Sequence, residues 1–595
     1  MADILTQEDL LIVLQHQHSA CPQNKPNLVL HIDVLDSKGK IIGIIEDPLV
    51  SGSMSINGES DVRRTATFVL QPTLKEKIKL SEDSLLWLNK DIRVSVGLYN
   101  IRTKDYKYYP LGTYVYVDNS STYDATTDNL TVNCADFMKK LDGTKNGQLG
   151  ALIISYPAYE ENEETGEVIK YNIIRNAVIE TLEKLTRISN HRIDDIGEYK
   201  ALPDYNNNWE QYREENPTWN AIPYNQEFSC GCSVLSILTT FRDLYPNYEM
   251  FFDVDSNAFI CQLKPMCYED DIFLDNSFLQ RVLISENTSV DMTTVRNICE
   301  VWGQVLETDF YSESVSYTNN TYTATIAGYE DGYYNGDKIS LKIPIVNQKE
   351  AKMNINKFGV IGIYSEATDQ PISANELKAD NVYTFKIKKS RVDGKDVIKA
   401  YILGQWQVHA LNVLTNGRKS GEYVTSSDGQ KYELYSQEYF KKFYNCERVD
   451  MYIVPNSPFT VEKLGEILDV KTGSEYDNIT SDALAADRAK WENWKNCRLT
   501  DNITITTALL PFLDVNKKVS YKRSDSDIEH QYIISSISHD FEGFTSTITM
   551  YRFYPLYETM LKEMGTHRVL SNFKHGTLGK YTHQELQKVI PGTYL

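Results

Sequence analysis

The sequence has no long hydrophobic run. No apolar stretch approaches the roughly 20 residues that a helix needs to cross a bilayer. The first residues, Met1-Ala2-Asp3-Ile4, carry an acid where a secretory signal has a basic segment followed by an apolar one. We therefore expect a chain that is made and folded in a cytoplasm, without stable membrane association.

Basic residues are also fewer than acidic ones. The 61 Lys and Arg residues are outnumbered by 82 Asp and Glu residues, which gives a net charge of -21. A protein that reads nucleic acid shows the opposite balance, because its cations displace the counterions of phosphates. The acidity fits a solvated surface, and it also fits a lumen that DNA slides through without sticking. Composition does not distinguish these two interpretations.

Catalytic motifs are missing as well. The sequence contains no Gly-x-Ser-x-Gly turn, no Gly-x4-Gly-Lys-Ser/Thr phosphate loop and no His-Glu-x-x-His. Cys134 lies close to Asp136, but no histidine is near them in sequence. Acidic residues are plentiful, so a glycosidase-type pair stays an alternative, although nothing singles one out. We expect no enzyme, no cofactor, and no catalytic or cofactor-binding residues.

A calcium loop and a zinc site are both weakly suggested. Asp253–Asn257 begins like a calcium-binding loop, yet Ala258 and Lys264 stand where glycine and glutamate are needed. A hairpin turn held by Asp and Asn side chains explains this segment better.

The zinc candidates are cysteines with a spacing that fits such a site poorly, and the 9 cysteines of the chain, odd in number and irregularly spaced, do not indicate disulfides. We interpret these candidates as small buried thiols beside the start of a helix. They are Cys230, Cys232, Cys261 and Cys267.

Two histidines near the N-terminus, His16 and His18, complete the list of metal candidates. No histidine cluster elsewhere would finish a site, and His31 would have to fold onto them. We therefore predict a surface leader over residues 1–25, with a brief helix over Glu8–Leu14, and no metal-binding residues.

Tyrosine, in contrast, is abundant, with 40 residues. Its ring covers apolar area while its hydroxyl stays hydrogen-bonded, which suits wide β surfaces and wet interfaces. Apolar and polar residues alternate from Leu28 to Val34, and short strands divided by turn residues follow, typical of a barrel or sandwich. Residues 26–150 are predicted as a first β-barrel-like domain. Its later strands are predicted at Ser53–Asn57, Thr65–Leu70, Ile92–Tyr99, Gly112–Val117 and Leu130–Asn133.

The middle of the chain has a different pattern. Helical stripes after Asn172, a plausible cap, and over Ser233–Leu244 predict an α+β domain at residues 151–284. Its segment Tyr205–Trp219 is rich in Asn, Tyr and Trp and is predicted to be an exposed loop. Residues 285–480 are predicted to be β-rich and to contain an insertion.

A second β module, residues 481–555, is predicted to open with a helix capped by Ser481-Asp482 and to end in a β-hairpin. An amphipathic tail, residues 556–595, follows it. The fold class is thus mainly β with an α+β middle: two tube-like β domains, an α+β domain and a β-rich insertion.

Short segments at both ends of the chain occur in a recognisable order. In the first β domain they are Ser51–Asn57, Arg63–Leu70, Asp91–Val94, Pro110–Tyr114, Leu130–Asp136 and Lys140–Gly143. In the last module they are Ala486–Trp491, Leu510–Asn516 and Gln531–Ile534. This order resembles that of bacteriophage baseplate hub proteins, over about the first 150 and last 120 residues. Compared with compact hubs, residues 312–480 look inserted or elaborated.

The resemblance implies a structural protein of the virion tail. Such hubs form homotrimeric rings in which two barrel-like domains per chain match the sixfold tail tube, and DNA passes through the ring. The implied partners are the tail tube protein, a central spike, needle or fibre protein, and surrounding baseplate or distal tail proteins. Two alternatives stay open, namely a tail-tip hydrolase of cell wall or surface polymer, and a host-binding adhesin.

Overall fold

The structure is a computed structural model that is mainly β and multidomain, as the sequence predicts. None of the helices in the part of the chain it describes is long and apolar enough to cross a membrane. The described residues are 7–17, 27–46, 49–71, 90–144, 146–150, 153–162, 168–197, 218–223, 225–245, 248–265, 272–289, 295–306, 308, 310–365, 370–392, 395–426, 429–455, 457–473, 476–477, 479–498 and 502–553.

Both ends of the chain contribute to one twelve-stranded antiparallel sheet, called the main sheet here. The two predicted β modules join where Leu49–Asn57 pairs with Glu529–Asp540, with Ile56 opposite Ile537. Its strands are, in spatial order, Leu283–Ser289, Asn502–Ala508, Thr545–Arg552, Glu529–Asp540, Leu49–Asn57, Arg64–Leu70, Asn129–Asp136, Asp105–Asp124, Asp91–Asn100, Leu28–Leu35 and Ile41–Glu46, with Lys518–Lys522 paired to Glu529–Asp540.

The strict alternation seen in the sequence produces the core of the main sheet. Strand Arg64–Leu70 buries every second residue, and so does the start of Asp91–Asn100, because successive side chains point to opposite faces. The inward residues from both chain ends form a single hydrophobic cluster that includes Phe68 and Ile548. The predicted modules therefore share one core.

The N-terminal helix, Gln7–Gln17, packs into this core. Ile12 and Val13 are almost completely buried, and the carboxylate of Asp9 accepts a 2.7 Å hydrogen bond from the Tyr109 hydroxyl. Lys107 lies 2.6 Å from the same carboxylate. The predicted helix is confirmed, but it is not a surface leader, because its apolar stripe completes the core of the main sheet.

The middle domain is α+β around a second hydrophobic cluster. The helix predicted at Ser233–Leu244 runs over Val234–Leu244, and the Ser233 hydroxyl accepts a hydrogen bond from Ser236 N. The helix predicted after Asn172 spans Ile174–Thr181 and continues as a π-helical turn over Leu182–Thr186. Asn172 is not its cap, because its side-chain amide donates to Pro157 O at 2.9 Å instead.

Small sheets complete the middle domain. A three-stranded sheet has the order His191–Ile193, Phe259–Leu263, Tyr248–Phe252. Two further pairs are Ile154–Tyr156 with Gln226–Phe228 and Tyr159–Glu161 with Val168–Tyr171. A 3-10 turn over Phe137–Lys140 leads into this domain from the main sheet, and helix Asn276–Val282 leads back to it.

A four-stranded sheet follows in the chain. Its order is Arg448–Ile453, Gln407–Thr415, Ile298–Val305, Leu468–Lys471. The predicted helix after Ser481 runs over Asp482–Arg498 and packs on this sheet through Ala485, Ala486 and Ala489. It thus belongs to the core of this sheet and not to that of the last β strands. Shorter elements around it are helices Gln437–Phe443 and Val461–Leu464 and the strand pair Tyr423–Thr425 with Lys431–Glu433.

An eight-stranded sheet, residues 310–404, is inserted between two strands of the four-stranded sheet and is called the insertion here. It has its own hydrophobic cluster, in which Phe385 and Ile363 are fully buried. Its strands are, in spatial order, Phe310–Ser312, Lys338–Lys342, Val382–Val392, Lys395–Gly404, Ile361–Ser365, Lys352–Ile355, Thr321–Ala324 and Val315–Thr318.

A substitution at the buried residue Ile548 tests whether the strands of the main sheet share one core. Replacing Ile548 with Asp places an unpaired carboxylate among apolar side chains and should lower the free energy of unfolding by about 4 kcal/mol or more. Thr547→Asp, at the half-buried neighbouring position, is the matched control. Urea unfolding of both variants gives the comparison, and equal stability of the two would contradict the assigned strand faces.

Asp482 gives this region a predicted dependence on pH. Its carboxylate accepts a 2.9 Å hydrogen bond from His409 N, and burial raises its pKa to about 7 despite that bond. A raised pKa favours the protonated acid in the folded state, so stability should fall as pH rises from about 4 to about 7. Asp482→Asn should remove this loss, about 4 kcal/mol by order of magnitude.

Chemical denaturation of Asp482→Asn and wild type from pH 4 to pH 8 measures this effect. The exposed Asp477→Asn is the control and should leave the wild-type profile in place. A constant difference between Asp482→Asn and wild type across this range would show that Asp482 does not titrate as described.

Candidate functional site

The calcium-like segment Asp253–Asn257 is a hairpin turn, as its side chains predict. It connects the antiparallel strands Tyr248–Phe252 and Phe259–Leu263. The Asp253 carboxylate accepts hydrogen bonds from Asp255 N at 2.7 Å and from the Ser256 hydroxyl, and Asn257 has a left-handed φ of 49°. Arg192 also contacts Asp253. The hairpin interpretation is confirmed, since these contacts use the carboxylate to hold the turn.

The candidate cysteines do not come together. Cys261 is buried in a strand, where burial raises the pKa of its thiol, whereas Cys230 is exposed. Cys232 lies beside the start of helix Val234–Leu244 and contacts the Ser236 hydroxyl at 2.7 Å. Cys267 lies outside the described residues. The prediction of buried thiols near a helix start is thus wrong for Cys230.

Of the three histidine candidates, the structure describes the side chain of His31 alone. His31 is in the main sheet, and its Nε2 lies 3.0 Å from Asp33 Oδ1. His16 belongs to the N-terminal helix, while His18 lies outside the described residues, as does most of Tyr205–Trp219. Among the described residues no group of three His, Cys, Asp or Glu side chains could hold a metal ion.

Cys134 and Asp136 have separate structural partners. The Cys134 Sγ lies 3.5 Å from Ala66 O within the sheet, and burial raises the pKa of its thiol. The Asp136 carboxylate accepts hydrogen bonds from Arg64 N at 2.8 Å and from Met138 N at 3.0 Å. These bonds fix the end of the strand and the turn that follows it.

The most highly organised polar site of the described structure is a buried ionic cluster, called the junction here. It contains two consecutive arginines, Arg63 and Arg64, which are 3% and 2% exposed. The Arg64 guanidinium donates to Asp514 at 2.9 Å and to Phe252 O at 2.7 Å. The N-terminal strands, the middle domain and the C-terminal strands therefore meet at one side chain.

Arg63 extends the junction into the middle domain. Its guanidinium is ion-paired with Glu249, lies 3.8 Å from Asp514, and stacks 3.8 Å above the ring centroid of Phe251. The Glu249 carboxylate also accepts hydrogen bonds from Asn516 at 2.6 Å and Gln262 at 2.7 Å. Both carboxylate oxygens are thus satisfied, which a charge buried this deeply requires.

The electrostatics of the junction follow from burial and from its two cations. Burial raises the pKa of Asp136, and the nearby arginine charge only partly opposes that shift. For Asp514 burial acts in the same direction, but the charges of Arg64 and Arg63 prevail and lower its pKa. Asp514 therefore stays ionised and balances the two guanidinium groups.

A polar cleft of about 270 Å³ opens beside the junction. Arg242 on its wall donates to Asp61 at 2.7 Å and to Asp243 at 2.7 Å. Arg488 of helix Asp482–Arg498 contacts Glu492 at 3.1 Å and donates to Asp243 O at 3.2 Å. The bond from Arg488 to Asp243 O connects the helix on the four-stranded sheet to the middle domain, and the pair of Arg242 with Asp61 connects the middle domain to the main sheet. The cleft therefore continues the polar contacts between domains.

No role was predicted from the sequence for any of the junction residues, although most of them lie in segments noted above. Arg63, Arg64, Asp136, Asp514 and Asn516 all lie in the segments that carry the family resemblance. Two adjacent arginines at the start of an alternating strand were the available signal, because one of them must face the interior. No local sequence pattern indicated a role for Glu249 in the middle domain.

Replacing Asp514 with Asn tests whether the junction holds the modules together. The change leaves two buried guanidinium groups short of one negative charge and should cost about 3 kcal/mol at neutral pH. Because the pKa of Asp514 is lowered, its contribution is complete above the ordinary carboxyl pKa of 3.8 and is lost as pH falls through the lower, folded-state value.

Urea unfolding at pH 7 and at successively lower pH compares wild type with Asp514→Asn, and the difference should shrink in acid. The control is Asp525→Asn, which breaks an exposed pair with Arg523 and should change little. An unchanged stability of Asp514→Asn at pH 7 would show that the junction does not hold the modules.

Only part of the chain matches a known protein family. A family described as a domain of unknown function (DUF5048) matches residues 456–557. This span includes helix Asp482–Arg498 and the C-terminal strands of the main sheet. No curated protein matches the sequence.

Several solved structures are similar over most of the chain. The tail protein from Neisseria meningitidis MC58 has a TM-score of 0.41 and 8% identity, with 89% of this chain and 98% of that chain covered. The 43 kDa tail protein of prophage MuSo2 from Shewanella oneidensis has a TM-score of 0.39 and 8% identity, with 88% and 98% covered. Prophage tail protein gp18 from Listeria monocytogenes EGD-e has a TM-score of 0.34 and 10% identity, with 92% and 100% covered. All three are described as tail proteins.

Proposed function

We propose that this chain is a structural hub of a phage-type tail. Three copies form a ring that connects the hexameric tail tube to the central spike, needle or fibre and lets DNA pass. The order of segments along the sequence supports this role, and so does the union of both chain ends in the main sheet. The proposal assigns no catalytic step to the chain.

The observation that carries the proposal is the main sheet with its two outer edges. One edge is the strand Ile41–Glu46, in which Ile41, Ile42 and Ile44 are 45%, 44% and 44% exposed. A bulge opposite Val34 and Leu35 leaves Ile42 without a partner in the pairing register. Folded proteins usually protect edges with charge, proline or short strands, because an open edge pairs readily with another chain.

The opposite edge is the strand Leu283–Ser289, in which Ile284 is 56% exposed. Among the described residues, no further strand pairs with either of these two different strands, which end the main sheet. A contact between unlike edges of neighbouring copies is head-to-tail, and it produces a closed ring when its rotation divides the circle. We infer that the edge Ile41–Glu46 of one copy pairs with the edge Leu283–Ser289 of the next.

Charge and symmetry fit the remaining parts of the role. Within each copy the main sheet contains the two modules that would face tube subunits, so three copies would offer six positions to a sixfold tube. A chain with a net charge of -21 repels DNA, which suits a ring that DNA must pass without binding. The middle domain and the insertion lie outside the main sheet and are proposed to contact surrounding baseplate proteins or distal tail proteins.

The edge strand provides the test. The double variant Ile42→Lys and Ile44→Lys adds two charges to an edge and should abolish ring formation while leaving the monomer folded. Native mass spectrometry or analytical ultracentrifugation, with and without tube protein, measures the ring. Circular dichroism reports folding of the same samples.

The matched control is Ile169→Lys with Ile345→Lys, at two exposed isoleucines outside the main sheet. It should assemble as the wild type does. Rings formed by the edge variant would contradict the proposed contact, and a wild type that stays monomeric inside purified tails would contradict the hub itself. Release of fragments from peptidoglycan or surface glycans by the purified chain would favour the hydrolase alternative.

A further inference from the structure

Half of the main sheet carries a distinctive set of side chains on its outward face. Ala66 and Phe68 belong to the hydrophobic cluster, so Thr65 and Thr67, which alternate with them in the strand Arg64–Leu70, point away from the core. Residues that are directly opposite each other on neighbouring strands lie on the same face of a sheet. The pairing register therefore identifies the outward positions on the neighbouring strands.

One row of outward positions crosses six strands and consists of hydroxyl side chains alone. Each member is paired with the next in the register of the main sheet. At the usual spacing of neighbouring strands this row is about 24 Å long. Its members are, in spatial order, Ser285, Thr506, Thr547, Ser538, Ser55 and Thr65.

The rows on either side of it have the same character. One flanking row consists of Asn287, Thr504, Thr549, Ser536 and Asn57. The other consists of Thr545, Asp540, Ser53, Thr67 and Asn133. The three rows together are called the hydroxyl face here, and all of their side chains are half-buried or exposed.

Charge is almost absent from the hydroxyl face. Asp540 is the one charged residue of its three rows, and its carboxylate accepts a hydrogen bond from Glu542 N at 3.0 Å within the hairpin turn. Farther along the same side of the main sheet, the outward positions Asp33 and Arg93 are paired and both are charged. In a chain that is 24% charged, the lack of charge is therefore confined to one part of the main sheet.

The composition of the hydroxyl face does not match that of a protein interface. The cores of such interfaces are enriched in aromatic residues, Met and Arg and depleted in Ser. None of the three rows contains an aromatic residue, Met or Arg, and Ser is among the most frequent residues in them. A water-filled space is therefore a better environment for this face than a tightly packed partner.

The hydroxyl face also has no means of holding a nucleic acid. Affinity for DNA comes from Lys and Arg side chains that displace the counterions of phosphates, and single strands further require aromatic rings that stack with bases. The three rows contain neither kind of residue. With a single carboxylate, they also repel phosphates little. A polyanion can thus move along this face while being neither bound nor pushed away.

We propose that the hydroxyl face is the wall of the ring along which DNA passes, and that this wall is uncharged. The inference rests on the proposed hub function. It assigns the passage of DNA without binding to the local absence of charge on this face. The net charge of the chain, which lies elsewhere on the molecule, is not what the DNA meets.

The first experiment locates the hydroxyl face in the assembled ring by the reactivity of the single variant Ser55→Cys. Its thiol should react with N-ethylmaleimide but not with a maleimide coupled to a globular protein too large to enter the channel. In the monomeric variant Ile42→Lys with Ile44→Lys, the same thiol should react with both reagents. Mass spectrometry of proteolytic peptides reads the label at this site separately from the native cysteines.

The matched control is Ser316→Cys, at an exposed serine in a strand of the insertion, which should react with both reagents in the ring. Reaction of Ser55→Cys with both reagents in the ring would place the hydroxyl face outside and overturn the inference. Protection of Ser55→Cys from both reagents would show a contact between proteins at this face, which overturns it as well.

The second experiment tests whether the wall is neutral. The triple variant Thr506→Lys, Ser538→Lys and Thr65→Lys places cations on alternate strands of the central row. Its preformed ring should retain linear duplex DNA at least about tenfold more tightly than the wild-type ring, with a steep salt dependence. Closed circular DNA cannot thread a preformed ring, so its binding should stay at the wild-type level.

The charge-matched control is Ser314→Lys, Ser316→Lys and Thr318→Lys in the insertion, which should affect linear and circular DNA equally. Equal binding of both DNA forms by the hydroxyl-face variant, or retention of linear DNA by the wild-type ring as tight as in that variant, would overturn the inference. The single variant Ser538→Lys provides the same comparison if the triple variant does not assemble. A wild type that forms no ring overturns the hub proposal itself, and ring assembly is measured on every sample, so the two failures are distinguishable.

Discussion

The structure depends on one requirement, that two adjacent buried arginines be neutralised. Arg63 precedes and Arg64 begins the strand Arg64–Leu70 of the main sheet. Their charges are balanced by Asp514, which lies between two C-terminal strands, and by Glu249 in the middle domain. A buried charge without its partner costs several kcal/mol, so the junction stabilises the contact between these three parts of the chain. The junction therefore fixes the main sheet and the middle domain in one arrangement.

This arrangement gives the two ends of the chain a shared role. With the modules joined between Leu49–Asn57 and Glu529–Asp540, the open edges are set far apart in the order of the main sheet. Each copy then has two different strands at the ends of the described main sheet, as the proposed head-to-tail association requires. In the proposed hub the shape of the main sheet, held by the junction, would supply the function.

The insertion has no part in the junction. It has its own hydrophobic core and is connected to the four-stranded sheet near Leu306 and Trp406, where Leu306 N donates to Trp406 O at 3.0 Å. A unit with its own core can vary in surface chemistry without disturbing the main sheet.

The class of fold and several elements were predictable from the sequence alone. Alternation over Leu28–Val34 and Thr65–Leu70 and the stripe over Ser233–Leu244 predicted the strands and the helix correctly, because local periodicity reflects which side must be buried. Which elements share a core is seen only in the tertiary structure. Helix Gln7–Gln17 packs into the main sheet, helix Asp482–Arg498 packs on the four-stranded sheet, and Glu249 pairs with Arg63 across 186 positions of sequence. Such long-range partners leave no local pattern, since they are set by the packing of whole domains.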